Sequence, residues 1–433
     1  MPSELSSQIL LKFDGKKAEK DLTDSIISVE VDNSVTLPDM FSIHLQDDED
    51  FKWIDSDKFK VGTSVEIVVK TIRGDQKEKA AILSGEITGI EPSIVGTFGP
   101  SVVLRGYDKS HRLHRGRNTK AWLQVKDSDI ASTIASKAGL GGGTIDATSG
   151  VHDYILQDNK TDWEFLLSRA RRVGRWVFVK DGKLNFVKNP EDSGPTLTFG
   201  DDLMEFSARL STMRQVNEVE VLGWDPGKQE QIVGKASTVT TGTLPKIGQS
   251  QSGGDVQKKA FSSAADIVVD MPVANQSEAK ELAQSFRDER EKDFIVADCV
   301  SFGNPKVLAG VKIKLEGVGK KFSGTYRVTR TLHRYTNSEY ITEFTAGGRH
   351  ASITELLAEK NENGGYGHWP VFGKVTNISD PDNENRVKIK LPSLNNDVEN
   401  TWARLVAPGA SQDRGLQWLP EVNDEVLVVF ERG

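Results

Sequence analysis

Two histidines spaced three residues apart, His111 and His114, are the side chains in this sequence best suited to hold a metal ion. Imidazole nitrogens at this spacing supply two ligands, but two histidines alone are an incomplete zinc site. The surrounding segment is basic, with six Lys or Arg residues against one Asp between Arg105 and Lys120. Only Tyr107 supplies an aromatic ring there, whereas a nucleic-acid surface interleaves several. We therefore interpret the segment as a solvated or subunit-contacting face and predict no metal and no nucleic acid.

Motifs for catalysis or phosphate binding are missing from the sequence. HExxH, the P-loop, GxSxG and the Rossmann fingerprint do not occur. The glycine run Gly139–Gly143 lacks the Lys-Ser/Thr pair that holds a phosphate, so we predict a flexible break there. Carboxylate pairs such as Asp47-Asp48 and Asp201-Asp202 lack the apolar surroundings that raise a pKa for acid catalysis. The expectation is a protein that is not an enzyme and uses no cofactor.

The composition is that of a large, acidic, globular chain. Its 433 residues exceed a single ordinary core and predict about three domains. The net charge of −8 argues against a general nucleic-acid or anionic-membrane binder. Cys299 is the single cysteine, so an intrachain disulfide is excluded and a reducing site of synthesis is expected. No secretory signal is visible, and the longest apolar run, Val426–Phe430, is too short to span a membrane.

Hydrophobic periodicity and turn signals divide the chain into five segments. Two β regions with apolar–polar alternation flank α+β material, although the residues alone do not establish that they are copies of one barrel. The predicted segments are a first β region over 1–107 that suits a small barrel or sandwich, an α+β connecting domain over 108–216, a second β region with a polar loop and a helix over 217–350, a linker over 351–370 in which Ala351–Lys360 suits a short helix, and a final β domain over 371–433.

Within these segments, local signals indicate helices and a hairpin. The polar stretch 225–263 remains open between a long loop and a pair of exposed strands. The aromatic residues of the connecting domain, Trp163, Trp176 and Phe178, are interpreted as core. The structural signals are an apolar stripe over Asp127–Ala138 ended by Gly139, a capping box at Thr161 and Glu164, a hairpin turn at Asp181-Gly182, and an N-cap at Asn275 with Glu278.

The final segment, residues 371–433, predicts an OB-type barrel of five short strands. On one predicted strand, Val387, Ile389 and Leu391 lie on the same face. Two more strands are predicted over Trp402–Ala407 and Val426–Phe430. Some OB folds bind single-stranded nucleic acid. Seven Lys or Arg against ten Asp or Glu in this segment disfavour that use here.

The same segment carries a motif that resembles the OB domain of VgrG-type spike proteins of contractile injection systems. The quoted stretches are "FGKVTNISDPDNENRVKIKLPS" and "WARLVAPGASQDRGLQWLPEVNDEVLVVFERG". Asn423 stands where the family usually has Gly, and Asn also accepts a left-handed turn. The motif positions, which the resemblance implies are architectural contacts, are Gly373, Asp380, Pro381, Arg386, Trp402, Arg404, Pro420, Glu421, Asp424 and Glu425.

Two upstream stretches extend the resemblance over most of the chain. "GYDKSHRLHRGRNTK" and "QDNKTDWEFLLSRARRVGRWVFVKDGKLNF" are similar to the hub portion shared by VgrG, phage late control protein D and contractile-phage baseplate hubs. The resemblance implies a mainly β fold with an α+β insertion: two tube-like β-barrels, an α+β connecting domain and a C-terminal OB-fold barrel. It also implies that a needle follows the OB domain, so the OB barrel is expected to be incomplete at Gly433.

The function implied by this resemblance is that of a structural hub and spike. A homotrimer would adapt a six-fold tail tube to a three-fold spike, with the tail tube protein above, a PAAR-like tip protein below and baseplate proteins around it. The target membrane would be pierced mechanically, and the particle would be assembled in the cytoplasm without a signal peptide. Two alternatives stay open: an OB module that binds glycan or nucleic acid, and a spike with a lytic domain beyond residue 433.

Overall fold

A computed structural model describes residues 5–430 apart from positions 74–75, 98, 191, 226, 241–245, 248–250, 337–338, 349–369, 393–401, 412–413 and 417. The predicted linker 351–370, with its helix over Ala351–Lys360, lies almost wholly outside the described residues. In the described ranges no helix combines the length and apolar composition that a membrane crossing requires.

The first barrel forms from alternating strands whose inward side chains make one core. Phe41, Ile43 and Leu45 are fully buried on one strand, as the sequence alternation predicts. Its strands are hydrogen-bonded in the order β3-β4-β7-β6-β5-β1-β2. The elements are β1 (Leu5–Phe13), β2 (Lys16–Lys17), α1 (Lys20–Asp24), β3 (Ile26–Ser34), β4 (Met40–Gln46), β5 (Ser64–Arg73), β6 (Gln76–Val95) and β7 (Gly99–Asp108).

The connecting domain packs two helices against short strands. Its core includes Trp122, Ile130, Trp163, Leu166 and Phe186. The elements are a 3₁₀ helix (Lys109–His114), β8 (Asn118–Val125), α2 (Asp127–Lys137), β9 (Gly141–Ile145), β10 (His152–Lys160), α3 (Asp162–Arg172), β11 (Trp176–Lys180) and β12 (Lys183–Val187).

The predicted capping box and hairpin of this domain are confirmed. Thr161 Oγ1 accepts a hydrogen bond from the Glu164 N–H at 3.1 Å, and the Glu164 carboxylate accepts from the Thr161 N–H at 2.9 Å. Asp181 and Gly182 join β11 to β12 with φ angles of 50° and 69°. Both angles are positive, as a two-residue turn that follows the twist of the strands requires.

The predicted flexible break at Gly139–Gly143 is wrong. Gly139 does end helix α2, with φ of 68°, but Gly141–Ile145 forms strand β9, which runs parallel to β12. A Cβ atom on Gly143 would collide with the backbone oxygen of Leu184. The glycines therefore permit a close approach of two backbones, and a composition typical of a flexible loop serves here as a strand.

The second barrel draws its strands from two separated parts of the chain. Residues 193–210 return directly to it, so β13 and β14 lie in its sheet although the sequence places 108–216 in the connecting domain. Its core includes Leu203, Ile295, Ile313, Tyr326 and Val328. The elements of the second barrel and of the unit inserted into it are β13 (Ser193–Thr198), β14 (Leu203–Leu210), β15 (Glu218–Asp225), β16 (Glu230–Ala236), β17 (Lys246–Ile247), α4 (Gly253–Phe261), β18 (Ala265–Val268), α5 (Gln276–Lys292), β19 (Ile295–Phe302), β20 (Lys312–Glu316), β21 (Gly324–Thr336) and β22 (Glu339–Gly347).

Between β14 and β19 the chain builds a separate inserted unit, which comprises β15, β16, α4, β18 and α5. Helix α5 covers the sheet β16-β15-β18 through Ala279, Leu282 and Ala283. Its predicted N-cap is confirmed, because Asn275 Oδ1 accepts from the Glu278 N–H at 3.0 Å. The described parts of the polar stretch 225–263 contain β16 and α4, so that stretch is neither a single loop nor a pair of exposed strands.

The OB domain carries a three-stranded sheet in the order β24-β23-β27. Val387, Ile389 and Leu391 are buried in its core, as predicted. The predicted strand over Trp402–Ala407 is wrong: Ala403 pairs with Val387 by two hydrogen bonds of 2.8 and 2.9 Å, and no further residue of that stretch joins the ladder. The elements are β23 (Val371–Asn377), β24 (Lys388–Lys390), β25 (Ala410–Ser411), β26 (Arg414–Gly415) and β27 (Glu425–Val428).

Candidate functional site

The two barrels are joined into one continuous sheet at a seam, defined here as the pairing of β3 with β21. The antiparallel register runs from Ser34 opposite Arg330 to Ser28 opposite Thr336. Strand β21 is long enough to pair with β20 near its start and with β3 near its end. One strand therefore belongs to both barrels, which fixes their relative orientation through backbone hydrogen bonds.

Cross-strand charge pairs reinforce the seam. Arg330 meets Asp32 with two hydrogen bonds, of 2.6 and 3.1 Å. Arg334 lies 3.3 Å from Glu30 and also contacts Glu343 on β22. Such bidentate, opposite-charge neighbours favour this register over a shifted one.

Directly beneath the seam, His333 is buried and is held neutral. Its Nδ1 lies 2.7 Å from the Tyr340 hydroxyl and 3.3 Å from the Thr342 hydroxyl. Burial lowers the pKa of His333 to about 3. This histidine therefore serves as a hydrogen-bonding core residue of β21 and does not titrate near neutral pH.

A pair of aspartates, Asp39 and Asp108, lies at the edge of the first barrel. The Asp39 N–H donates to Asp108 Oδ1 at 3.1 Å, and the Asp108 N–H donates to the Asp39 carbonyl at 2.8 Å. Burial, with the neighbouring negative charge of Asp108, raises the pKa of Asp39 to about 8, and burial raises the pKa of Asp108 to about 6. Sequence reasoning missed this pair because its members are 69 residues apart.

The raised pKa of Asp39 predicts that its contribution to stability falls as pH rises from about 4 to 8. In that window the unfolded chain has already released the Asp39 proton, which the folded chain still holds, so this group adds a negative component to the slope of unfolding free energy against pH. Asp39→Asn is expected to remove that component, which amounts to about one proton. Urea unfolding at pH 5, 6, 7 and 8 measures it, with Asp57→Asn, an exposed position, as control. Equal slopes in the wild type and Asp39→Asn would contradict the prediction.

The two histidines singled out from the sequence have separate partners. His111 Nε2 lies 3.2 Å from Glu86 Oε2, whereas the ring of His114 stacks on Trp163 with centroids 5.2 Å apart. Burial lowers the pKa of His114 to about 4. Among the described side chains, three or more His, Cys, Asp or Glu never come together as a metal site would need. Trp163 Nε1 also donates to the Thr36 carbonyl at 2.9 Å, which ties the connecting domain to the first barrel.

Only one of the three aromatic residues assigned to the core is fully buried. Trp163 is 3% exposed, which confirms its assignment. Trp176 and Phe178 are half-buried on β11, an edge strand of the sheet β11-β12-β9, so their assignment to the core is wrong. Trp176 instead lines a pocket together with Lys292 and Arg327.

In the OB domain, Asp380 organises the turn that separates β23 from β24. Its carboxylate accepts from Arg386 Nη2 at 2.8 Å and Nε at 3.0 Å. It also accepts from the backbone N–H groups of Asp382, Glu384 and Arg386. The Arg386 guanidinium and these N–H groups hold the pKa of Asp380 well below its usual range. Pro381 follows Asp380 in this turn, where its fixed φ suits the geometry.

A second turn of the OB motif precedes β27. Asp424 Oδ2 accepts from the Glu421 N–H at 2.8 Å, and the Asn423 N–H donates to the Val375 carbonyl at 2.9 Å. Asn423 has φ of 81°, so it does adopt the left-handed conformation expected where the family has Gly. Pro420 is buried beside this turn.

The remaining motif positions are split between core and surface. Gly373 lies in the core, where a Cβ atom would collide with Ile389. Trp402 is half-buried, with Lys388 Nζ 5.5 Å from its ring centroid. Arg404 and Glu425 are exposed. The structure thus brings the motif together as two turns and a core contact rather than as a single pocket.

The outer face of the OB sheet is unusually apolar. Phe372 lies opposite Leu427 in the register, and they are 62% and 61% exposed. Val429 extends the patch at 65% exposed. Eight of the 22 exposed large apolar side chains among the described residues belong to this small domain: Phe372, Val406, Leu416, Trp418, Leu419, Val422, Leu427 and Val429. A concentration of this kind indicates a contact surface.

Comparison with known families identifies the chain. A family model described as the Alg8 N-terminal domain matches residues 5–337, which is more than half of the chain. The chain belongs to the Alg8 N-terminal domain family. A second family model, described as the type VI secretion system/phage-baseplate injector OB domain, matches residues 371–433. No curated protein sequence matches this Alg8-family chain.

Solved structures share the fold of this Alg8-family chain at low identity. The 43 kDa tail protein of prophage MuSo2 from Shewanella oneidensis is 13% identical, with a TM-score of 0.57 over 79% of this chain and 98% of that one. The E. coli c3393 protein, a type VI secretion component structurally similar to T4 tail proteins gp27 and gp5, is 14% identical, with a TM-score of 0.56 over 98% and 96%. A chain of the Francisella PdpA-VgrG complex is 10% identical, with a TM-score of 0.52 over 98% and 78%.

These comparisons confirm two sequence predictions. The resemblance to VgrG-type spikes and phage baseplate hubs holds, and it extends over both β regions and the OB domain. The mainly β fold with an α+β insertion and a C-terminal OB domain is also confirmed.

Proposed function

We propose that this protein is the structural hub and spike of a contractile injection system or phage-like tail. The observation that carries the proposal is the seam, which unites two barrels of one chain in a single sheet. Two barrels per chain give six barrels in a trimer, so three copies match a six-fold tube on one side. One OB domain per chain gives a three-fold collar on the other side. The role is mechanical and not catalytic.

The open edges of the sheet support assembly by lateral pairing. Strand β14 pairs with β19 along one edge, and from Glu205 to Leu210 its other edge carries no strand of the described residues. At the opposite end of the sheet, β2 covers β1 only at Lys12 and Phe13. Unpaired strand edges attract further strands, and a head-to-tail contact of unlike edges closes into a ring.

The apolar outer face of the OB sheet supplies a second contact between copies. Phe372, Leu427 and Val429 form a patch beside the charged pair Lys374 and Glu425, which lie opposite each other in the register. A symmetric collar would bury this patch once in each chain. The turns organised by Asp380 and Asp424 would hold the register of the collar under load.

The proposed partners are those that the family resemblance implies. A tail tube protein would stack on the six barrels, baseplate proteins would surround them, and a PAAR-like tip would follow the spike below the OB domain. Sheath contraction would drive the assembly through the target membrane, and assembly of the particle would take place in the cytoplasm. Support comes from the structural relatives, which include a tail protein, a type VI secretion component and a PdpA-VgrG complex.

Light scattering of the purified chain tests this function. Three copies of 47.7 kDa give a mass of about 143 kDa, which is the expected result. A concentration-independent mass of one chain would contradict the trimer. Such a monomer would favour the alternative of an OB module that binds a separate ligand.

A further inference from the structure

A pocket opens where the two barrels, the connecting domain and the inserted unit meet. Its cavity measures about 140 Å³. The loop after β3 contributes Val35, the end of α3 contributes Arg171, the start of β11 contributes Trp176, and helix α5 contributes Ser285 and Lys292. Arg327 and Thr329 of β21 complete the wall. We call it the junction pocket.

The junction pocket is positively charged in a chain whose net charge is −8. Its lining contains more cationic than anionic side chains: Arg171, Arg175, Lys188, Lys292 and Arg327 against Asp288 and Glu289. The composition of an acidic chain does not explain a positively charged pocket. Because the cationic side chains surround a concave site, they produce a positive potential inside it.

The two carboxylates of the lining already have partners. Glu289 Oε2 accepts from Arg171 Nε at 3.0 Å. Asp288 Oδ1 accepts from the Thr240 N–H at 2.7 Å and from Gln284 Nε2 at 3.0 Å. Glu289 is therefore paired with a cation, whereas the neutral donors to Asp288 leave its negative charge in the lining, where cationic side chains still outnumber it.

Three of the cations have no ion pair among the described residues: Arg175, Lys188 and Arg327. Arg327 donates to the carbonyls of Gly310 at 2.7 Å and Pro190 at 3.1 Å. Arg175 donates to the Val173 carbonyl at 3.1 Å, and its buried Nε has no partner. Carbonyl oxygens satisfy N–H groups, but they do not cancel charge.

Trp176 helps to hold this charge in place. Its ring centroid lies 4.2 Å from Lys292 Nζ and 5.3 Å from the guanidinium carbon of Arg327. An aromatic face attracts cations without neutralising them. Burial lowers the pKa of Arg327 to about 10, against the opposing effect of the Asp192 carboxylate, which is itself paired with Lys180 Nζ at 2.7 Å.

We propose that the junction pocket binds an oxyanion, a carboxylate or a phosphate group. The guanidinium and ammonium groups that make no direct ion pair among the described residues supply charge-assisted donors for such a group, although Glu281 and Asp192 lie close enough to act on them electrostatically. The cavity is smaller than the pockets that hold drug-sized ligands, so the bound group is a small anion or the acidic end of a larger chain. The site lies at the junction of four bodies, so its occupant would also strengthen their mutual arrangement. The proposal does not depend on the oligomeric state.

Isothermal titration calorimetry of the full chain tests the proposal with two probes. Sodium pyrophosphate, compared with sodium chloride at equal ionic strength, represents a free anion. A blocked hexapeptide with three glutamates, compared with its glutamine counterpart, represents an acidic chain. The double variant Arg175→Met/Lys188→Glu removes charge from the pocket. Lys183→Glu is the matched control, because Lys183 begins β12, which ends directly before Lys188, and lies outside the pocket lining.

The expected result is saturable binding of at least one probe, weakened tenfold or more in the double variant and unchanged in Lys183→Glu. Binding of pyrophosphate alone identifies a free anion as the ligand, whereas binding of the acidic peptide alone identifies a partner chain. The proposal is overturned if neither probe binds more tightly than its neutral or chloride comparison. It is also overturned if the double variant binds as the wild type does.

Discussion

Glu291→Gln is expected to lower the free energy of unfolding of the inserted unit by about 3 to 5 kcal/mol. Glu291 and Arg287 lie one turn apart on α5, with side chains 0% and 1% exposed, and Arg287 Nη1 donates to Glu291 Oε2 at 2.9 Å. Glu291 Oε1 also accepts from the Gly253 N–H at the start of α4. Glutamine keeps the shape but leaves the Arg287 charge buried without a counter-ion, which is the costly outcome.

The matched control uses another ion pair of the same helix. Arg290 Nε lies 2.8 Å from Asp266 Oδ2, with side chains 45% and 36% exposed. Asp266→Asn is expected to cost less than about 1 kcal/mol because water screens that pair. Urea unfolding and hydrogen exchange of the amides in α4 and α5 measure both variants. Similar losses in Glu291→Gln and Asp266→Asn would show that burial does not set the strength of the inner pair.

Phe372→Glu/Leu427→Glu is expected to abolish the proposed trimer. The two side chains lie opposite each other on the outer face of the OB sheet and are more than half exposed. Two charges buried there in each of three copies would repel one another and lose their hydration. Light scattering should fall from about 143 kDa toward the 47.7 kDa of one chain, while circular dichroism stays unchanged because the core is untouched.

Val151→Glu provides the control for this second prediction. Val151 is an apolar side chain, 53% exposed, that directly precedes β10 in the connecting domain and is not part of the OB sheet. The variant is expected to keep the mass of the wild type. If the double variant also remains trimeric, the OB face is not a contact between copies, and the open edges of β14 and β1 must carry the assembly alone.

Local features of this fold were predictable because their causes lie within a few residues. A capping box needs only Thr161 and Glu164, and a hairpin turn needs only Asp181 and Gly182. Glycines are the exception. Gly143 lies in a glycine-rich stretch whose composition is typical of a loop, but it permits the close approach of β9 to β12. That approach depends on the position of the partner strand, which the local sequence does not specify.

The features that carry function depend on residues far apart in the sequence. Arg330 and Asp32 of the seam are separated by 298 residues, and nothing local marks either as a partner of the other. The residues that line the junction pocket are spread along the sequence between Val35 and Gly348, so no short stretch of the sequence shows its positive charge. The OB motif was found because a family resemblance, and not periodicity, connects its positions.

Electron microscopy of the purified chain, viewed along the assembly axis, tests whether it forms a trimeric hub. We expect a ring of six barrels with three-fold symmetry, in which barrels joined within a chain by the β3–β21 seam alternate with contacts between chains. The OB domains should form a three-fold collar on one face. Particles with two barrels, or a ring built from any number other than three chains, would contradict the proposal that this protein is a hub.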